Sequence, residues 1–367
     1  MSTVRIFVTR LVEDRLLLAL LAALAVLLLL APERIAELPG LVDWRTIAAL
    51  AGLLVLSRGI EDCGVLSRIG QSLLTRVHGE RRLAAALVLF SAALSAVVTN
   101  DVALFIVVPL TVGLARIAQL PLGRLVIFEA FAVNAGSTVS PVGNPQNLFL
   151  WQSSGAGFVE FTLAMLPLAS ALLLLILALI PLGFPPRRIA ISASDTRSPL
   201  DTRLMLLSLG LYLPFLVAAE LGYTVWAAAV VIALYLVVAR RVLCEVDWLL
   251  LLVFVLMFVD LGLLAGLTPV AAQMPSLLEL PGGLLLAGAL LSQAISNVPA
   301  TIFLDAFTDD WRTLAWAVAV GGFGTAVGSL ANLIALRLSR QRELWREFHL
   351  WSIPVLVLAF GIAWALP

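Results

Sequence analysis

Four of the long apolar stretches in this chain are broken in mid-run by residues that neither suit hydrocarbon nor continue a helix. Thr99-Asn100-Asp101 interrupts residues 82–118, and Ser296-Asn297-Val298 interrupts 282–308. Pro141, Gly143, Asn144 and Pro145 interrupt 124–160, and Gly321, Gly322, Gly324 and Gly328 interrupt 311–338. An unpaired backbone N–H or C=O in a bilayer core costs several kcal/mol. Such breaks survive there only when they are buried in protein or line a cavity.

The bilayer itself follows from composition. Apolar residues make up 62% of the 367 and charged residues 13%, and mean hydropathy is +1.07. Soluble domains average ~45–50% apolar and ~25% charged, so this is an integral membrane protein. All 23 basic residues are arginine. Lysine chemistry, whether a Schiff base or the lysine of a phosphate loop, is therefore absent. Two cysteines, Cys63 and Cys244, make no disulfide framework. Two histidines, His78 and His349, rule out an intramembrane zinc site of the His-Glu-x-x-His kind. A channel, a transporter or a structural subunit remains. No convergent nucleophile–base set is visible, so no enzyme is expected.

About 20 helical residues cross a ~30 Å hydrocarbon core. Apolar segments fall near 15–31, 44–60, 82–118, 124–160, 162–182, 203–219, 222–240, 247–265, 282–308, 311–338 and 349–366. The first is longer than the apolar core of a signal peptide and is read as a retained helix. Arginines favour the cytoplasmic side. One topology puts Arg5, Arg10 and Arg15, then Arg76, Arg81 and Arg82, Arg116 and Arg124, Arg187 to Arg203, Arg240 and Arg241, and Arg337 to Arg346 all inside. In it the N-terminus is cytoplasmic, 82–118 is a hairpin entering from inside, 282–308 is a hairpin entering from outside, and the C-terminus is outside. Charge parity alone does not separate a re-entrant hairpin from two thin spans. Residues 61–77 read as an amphipathic surface helix with Arg68 and Arg76 on its polar side. Trp44, Trp151, Trp248 and Trp311 read as interface anchors.

The breaks recur. Thr99-Asn100-Asp101-Val102-Ala103 aligns with Ser296-Asn297-Val298-Pro299-Ala300, 197 residues on. Gly136, Ser140, Val142, Gly143, Asn147 and Leu148 align with Gly321, Thr325, Val327, Gly328, Asn332 and Leu333, 185 residues on. Asp62-x-Gly64-x-Leu66 aligns with Asp260-x-Gly262-x-Leu264. The expected fold is an all-α polytopic membrane protein of two inverted repeats, each with a re-entrant hairpin and a broken transmembrane helix. The N-terminal repeat is 1–182, the cytoplasmic linker 183–202 and the C-terminal repeat 203–367. Inverted repeats with discontinuous helices mark many secondary transporters, with the site near the midplane.

Asn offers two donors and an acceptor and can cap a half-helix. The candidate binding residues are Thr99, Asn100, Asp101, Ser140, Gly143, Asn144, Asn147, Ser296, Asn297, Thr325, Gly328 and Asn332. For the asparagines, capping and solute binding can coexist. Asp101 has no acidic counterpart, since Val298 takes its place, and an intramembrane carboxylate is usually functional. Asp101 and Asp260 are the coupling candidates, Asp260 being equally open to a structural bond. Asp62 follows Arg58 at i,i+4 and is read as its ion-pair partner. Glu129 and Asp305 rank lower. Helix N-termini can hold a small anion and free carbonyls a Na⁺; the candidate Na⁺ position involves Asn100, Asp101 and Asn147. No other cofactor is expected.

Thr99-Asn100-Asp101 with its run to Pro109, and Gly136-Ser137-Thr138 followed by Gly143-Asn144-Pro145-Gln146-Asn147, resemble the ion transporter superfamily. That group holds arsenite/antimonite exporters, Na⁺/H⁺ antiporters and citrate-transporter-like divalent anion symporters. The likeness covers about residues 45–340 and is nearest to compact YbiR-like bacterial anion transporters. It implies a homodimer in the bacterial inner membrane working by an elevator-type shift. It also implies tip residues, Thr99, Asn100, Ser296 and Asn297 here, that bind Na⁺ and substrate. The symporter tips read Ser-Asn-Thr, whereas the third position here is Asp101 or Val298; the Asn-Asp pair is nearer the arsenite and Na⁺/H⁺ branch. The expected function is secondary transport of a small anion or oxyanion coupled to H⁺ or Na⁺, the alternative being cation/proton antiport through Asp101. Partners are the ion and the bilayer. No nucleotide-binding motif is present, any ATPase subunit would be another chain, and neither that nor nucleic acid is expected.

Overall fold

The computed structural model describes residues 15–74, 77, 79–118, 120–189, 199–339, 341 and 343–366. Arg5, Arg10, Arg76, His78, Arg197, Arg340, Arg342, the middle of the linker and the Arg116 side chain lie outside the described residues. Among the described residues no strand forms; Gly79 and Arg188 make an isolated antiparallel bridge. The protein is an all-α polytopic membrane protein.

The chain opens with α1 (Arg15–Leu30), which runs through a short helical turn at 32–41 into α2 (Trp44–Asp62), bent 50° from that turn. Asp43 caps α2 by accepting the N–H groups of Arg45 and Thr46 at 3.0 and 3.3 Å, which satisfies donors that have no partner within the helix. Next come α3 (Val65–Leu74), α4 (Glu80–Val97), α5 (Asn100–Ala118), α6 (Leu122–Ser137), α7 (Pro145–Ser154) and α8 (Phe158–Gly183). Across the linker follow α9 (Thr202–Glu220), α10 (Thr224–Val238), α11 (Arg240–Glu245), α12 (Trp248–Ala265) and α13 (Thr268–Leu278). The chain ends with α14 (Gly283–Ile295), α15 (Asn297–Asp305), α16 (Trp311–Gly321), α17 (Leu330–Ser339) and α18 (Leu344–Ala365).

Among the described residues α8, α9, α12 and α18 are each long and apolar enough to cross a bilayer. The arms of the second hairpin are not. The nine residues of α15 rise only about 13 Å, less than half the hydrocarbon thickness. Helices α9 and α10 carry the outward-facing Leu206, Leu213, Trp226 and Val237, the last 85% exposed. Apolar surface of this extent suits lipid, not water.

Inside, the two halves build the same contacts. Helix α4 lies on α6, and α14 lies on α16. Both approaches depend on a glycine. A Cβ on Gly136 would collide with the Ala92 carbonyl and the Ser95 hydroxyl; one on Gly321 would collide with Ser292 and crowd the Ala289 carbonyl. These neighbours are equivalent under the 197-residue offset. The hairpins then cross over: α5 packs on α17 and α15 packs on α7, each with the broken helix of the opposite half.

Several boundaries depart from the sequence reading. Gly155, at φ +70°, ends α7, so 158–160 belong to α8 and not to the first broken helix. The surface helix begins at Val65, not at 61, because α2 continues through Asp62. Helix α13, which has no buried residue, had no apolar run to announce it. Trp151 is no interface anchor: it is 4% exposed, sits edge-on to Phe158 and donates its indole N–H to Glu220 at 3.2 Å. The Arg58–Asp62 pair forms at 3.0 Å, and Arg58 also reaches Glu245 at 2.7 Å. On the exposed helix α11, hydrogen bonds from Arg241 and Arg58 hold the Glu245 carboxyl below its usual range.

Gly136→Leu should therefore force α4 off α6. Overpacking of this kind costs about 1–3 kcal/mol, and the melting temperature of the detergent-purified protein should fall. Gly40→Ala, which meets nothing within 4 Å, should leave it unchanged.

Candidate functional site

Each broken helix is stapled by the amide of one asparagine. Asn147, at 0% exposure, shares its Nδ2 hydrogens among the carbonyls of Ser137, Thr138 and Ser140, each at 3.1 Å. Asn332, also at 0%, donates to the carbonyls of Gly322 at 2.9 Å and Thr325 at 3.3 Å. Gly322 and Thr325 are the 185-residue equivalents of Ser137 and Ser140. The carbonyls left over where α6 and α16 end thus find donors without water. Asn144 caps α7 by accepting the Asn147 N–H at 2.8 Å. Ser329, its equivalent, accepts the Ala331 N–H at 3.3 Å ahead of α17.

Hydroxyls pin the breaks to the hairpins. Ser140 donates to the Ala96 carbonyl at 2.7 Å, and Thr325 to the Gln293 carbonyl at 3.2 Å; Ala96 and Gln293 are again equivalent. The backbone N–H of Asn100 donates to the Gly143 carbonyl at 2.8 Å. The Asn100 side chain accepts the Asp101 N–H at 2.9 Å. At the second tip Ser296 has φ +74°, a left-handed backbone uncommon outside glycine. A Cβ on Gly322 would lie 3.4 Å from the Asn297 amide nitrogen, which places Asn297 over the second break.

Asn134 ties the halves together. Its Nδ2 donates to Asn332 Oδ1 at 2.9 Å and to the Gly322 carbonyl at 3.1 Å, and its Oδ1 accepts from Ser329 at 3.0 Å. The sequence reading missed it because its aligned partner is Ala319.

The two tips share one cavity. Asn100 and Asp101 line it from the first tip and Asn297 and Val298 from the second; Gln146 and Ser329 line it from the breaks, and Leu250 and Phe254 of α12 close one side. Helices α5, α7, α15 and α17 all begin at its wall. The free space for the centre of a water-sized sphere is about 10 Å³, room for about one water. Asp101, half-buried, is the one charged residue in the lining, which includes no arginine or histidine. Of the other expected residues, Ser140, Gly143, Asn144, Asn147, Thr325, Gly328 and Asn332 stand behind the wall and hold it in shape. Gln146 and Ser329 were missed as lining, although Gln146 is flanked by Pro145 and Asn147 and Ser329 aligns with Asn144.

Four oxygens near the tips and breaks are buried without a hydrogen-bond partner: Thr99 Oγ1, Gln146 Oε1, Asn147 Oδ1 and Ser296 Oγ. Buried acceptors of this kind are the donor set a Na⁺ would use. Asp260 is 4% exposed and neither carboxylate oxygen has a partner, but it lies outside the wall. Glu129 is fully buried, accepts a hydrogen bond from Thr111 and leaves Oε2 unpartnered.

Interrupted helices paired around one polar cavity in a lipid-exposed bundle define a transmembrane transporter. The chain belongs to the citrate transporter family, whose model matches residues 6–321. It is 45% identical over 329 residues to the inner membrane protein YbiR of Escherichia coli (strain K12), covering 89% of this chain and 88% of that one. It is 34% identical over 307 residues to an uncharacterised transporter of Methanocaldococcus jannaschii, 82% of each chain. A silicon efflux transporter of Oryza sativa subsp. japonica is 29% identical over 126 residues, 34% of this chain and 26% of its own.

Removing either staple strands buried carbonyls, at about 1–3 kcal/mol. Asn147→Ala and Asn332→Ala should each lower the melting temperature. Asn147→Asp should lower it as much, since a carboxylate cannot donate to the three carbonyls.

Proposed function

We propose that the chain is a secondary active transporter of a small anion or oxyanion, arsenite-type or other, coupled to H⁺ or Na⁺. The observation that carries this reading is the convergence of four helix N-termini on one cavity. Each N-terminus is equivalent to roughly +0.5 elementary charge. Together they exceed the single negative charge of an ionised Asp101 and leave a field that favours an anion. No arginine is needed, and none lines the wall. Silicon, the named cargo of the rice relative, dissolves as a small oxyacid and so belongs to the same size class.

In this reading Asn100 and Asn297 present amides to the solute, while Asp101, Thr99, Gln146 and Asn147 offer oxygens to the coupling cation. The repeats are inverted, the N-terminus is cytoplasmic and the C-terminus is outside. A homodimer provides the frame against which the hairpins and broken helices shift. The alternative, cation/proton antiport, draws on Asp101 as the one charged group at the cavity.

Reconstituted protein should accumulate a small oxyanion against its gradient only when a H⁺ or Na⁺ gradient is imposed. Asp101→Asn should remove that accumulation while leaving downhill solute exchange in place. Cation/proton exchange in vesicles lacking any such anion, lost in Asp101→Asn, would instead establish the antiporter.

A further inference from the structure

A second, larger cavity opens beyond the first. It offers about 840 Å³ to water-sized spheres and is walled by the start of α2 at Asp43 and the ends of α7, α12 and α15. The same three helices wall both cavities, each with one face. Along α7 the wall passes from Gln146 in the central cavity, through Phe149, to Ser153 in the vestibule. Along α12 it passes from Phe254, through Phe258, to Gly262, and along α15 from Val298, through Ile302, to Asp305. Steps of three or four residues keep each series on one side of its helix, so the two cavities lie one beyond the other along the same three helices.

What separates them is a single layer. Phe149, Phe258 and Ile302 are 6%, 3% and 8% exposed. The rings of Phe149 and Phe258 meet edge to face with centroids 5.3 Å apart. The layer is about one helical turn, roughly 5 Å, thick. On both sides the wall turns polar again, with Gln146 and Asn297 within and Ser153 and Asp305 without.

We propose that Phe149, Phe258 and Ile302 form a hydrophobic gate between the vestibule and the central cavity, and that they determine what can enter from that face. An apolar constriction that excludes water presents a desolvation barrier to any hydrated ion. An edge-to-face pair is held by weak contacts, so a rotation of one ring or a parting of α7 from α12 would open the route. The gate rests on the reading of the central cavity as the solute site, but its test needs no solute.

The test is thiol accessibility in proteoliposomes on a Cys244→Ser background, Cys63 being buried. A charged, membrane-impermeant methanethiosulfonate is applied from each side in turn. From the vestibule side, Ser153→Cys should react fast and Val298→Cys at least ~10-fold slower, because the apolar layer stands between them. Phe149→Ala with Phe258→Ala should bring Val298→Cys to within ~3-fold of Ser153→Cys. Should that double variant aggregate, Phe149→Leu and Phe258→Leu should each accelerate Val298→Cys, and Phe149→Trp should not. Equal rates at Val298→Cys and Ser153→Cys with both rings present, or a Val298→Cys rate indifferent to every ring substitution, would overturn the gate. Either result would leave the anion reading standing.

Discussion

A helix interrupted inside a bilayer leaves carbonyls with no water to turn to, and the structure depends on how this chain answers that demand. Asn147 and Asn332 each gather the loose carbonyls of one break into a single amide. Neither could be replaced by water without opening the core, since both are fully buried. Once the breaks are stapled, the half-helices α7 and α17 restart at the cavity wall. The hairpin tips, which start α5 and α15, do the same. A cavity ringed by four helix starts is therefore a by-product of satisfying the backbone, and no basic side chain lines it.

The duplication makes the solution economical and the departures from it informative. Ser140 and Thr325 reach equivalent carbonyls in their hairpins, and Gly136 and Gly321 allow equivalent contacts. Some of the places where the repeats differ fall at the cavity or behind it. Asp101 aligns with Val298, Gln146 with Ala331, and Asn134, which ties the two breaks together, with Ala319. A symmetric scaffold thus carries an asymmetric lining. That asymmetry is what a carrier needs if solute and coupling ion are to occupy different places in one chamber.

Much of the fold was legible in the sequence because the constraint that shaped it is local. Asn, Gly and Pro at fixed spacing within apolar runs announce breaks, and the 185- and 197-residue offsets announce two of each kind. The staples were legible as residues, but not as parts standing behind the wall. Their direction depends on which carbonyls a break exposes, and spacing does not show that. Asn134 was hidden because the repeat argument finds only what is duplicated. Phe149 and Phe258 were hidden because an apolar background makes any single aromatic ordinary until a second chamber appears beside it. Trp151 looked like an interface anchor until Glu220, a residue of the next repeat, proved to hold its indole.

The two hairpin tips meet at one chamber, and cross-linking between them reads that meeting out. Asp101→Cys paired with Val298→Cys, on the Cys244→Ser background and in native membranes, is treated with a short bifunctional thiol reagent and digested for mass spectrometry. An intramolecular link should join the two tip peptides, and none should form between Val298→Cys and a cysteine at Leu209, which faces outward on α9. Failure of the tips to link, while both cysteines remain reactive to a monofunctional reagent, would contradict it.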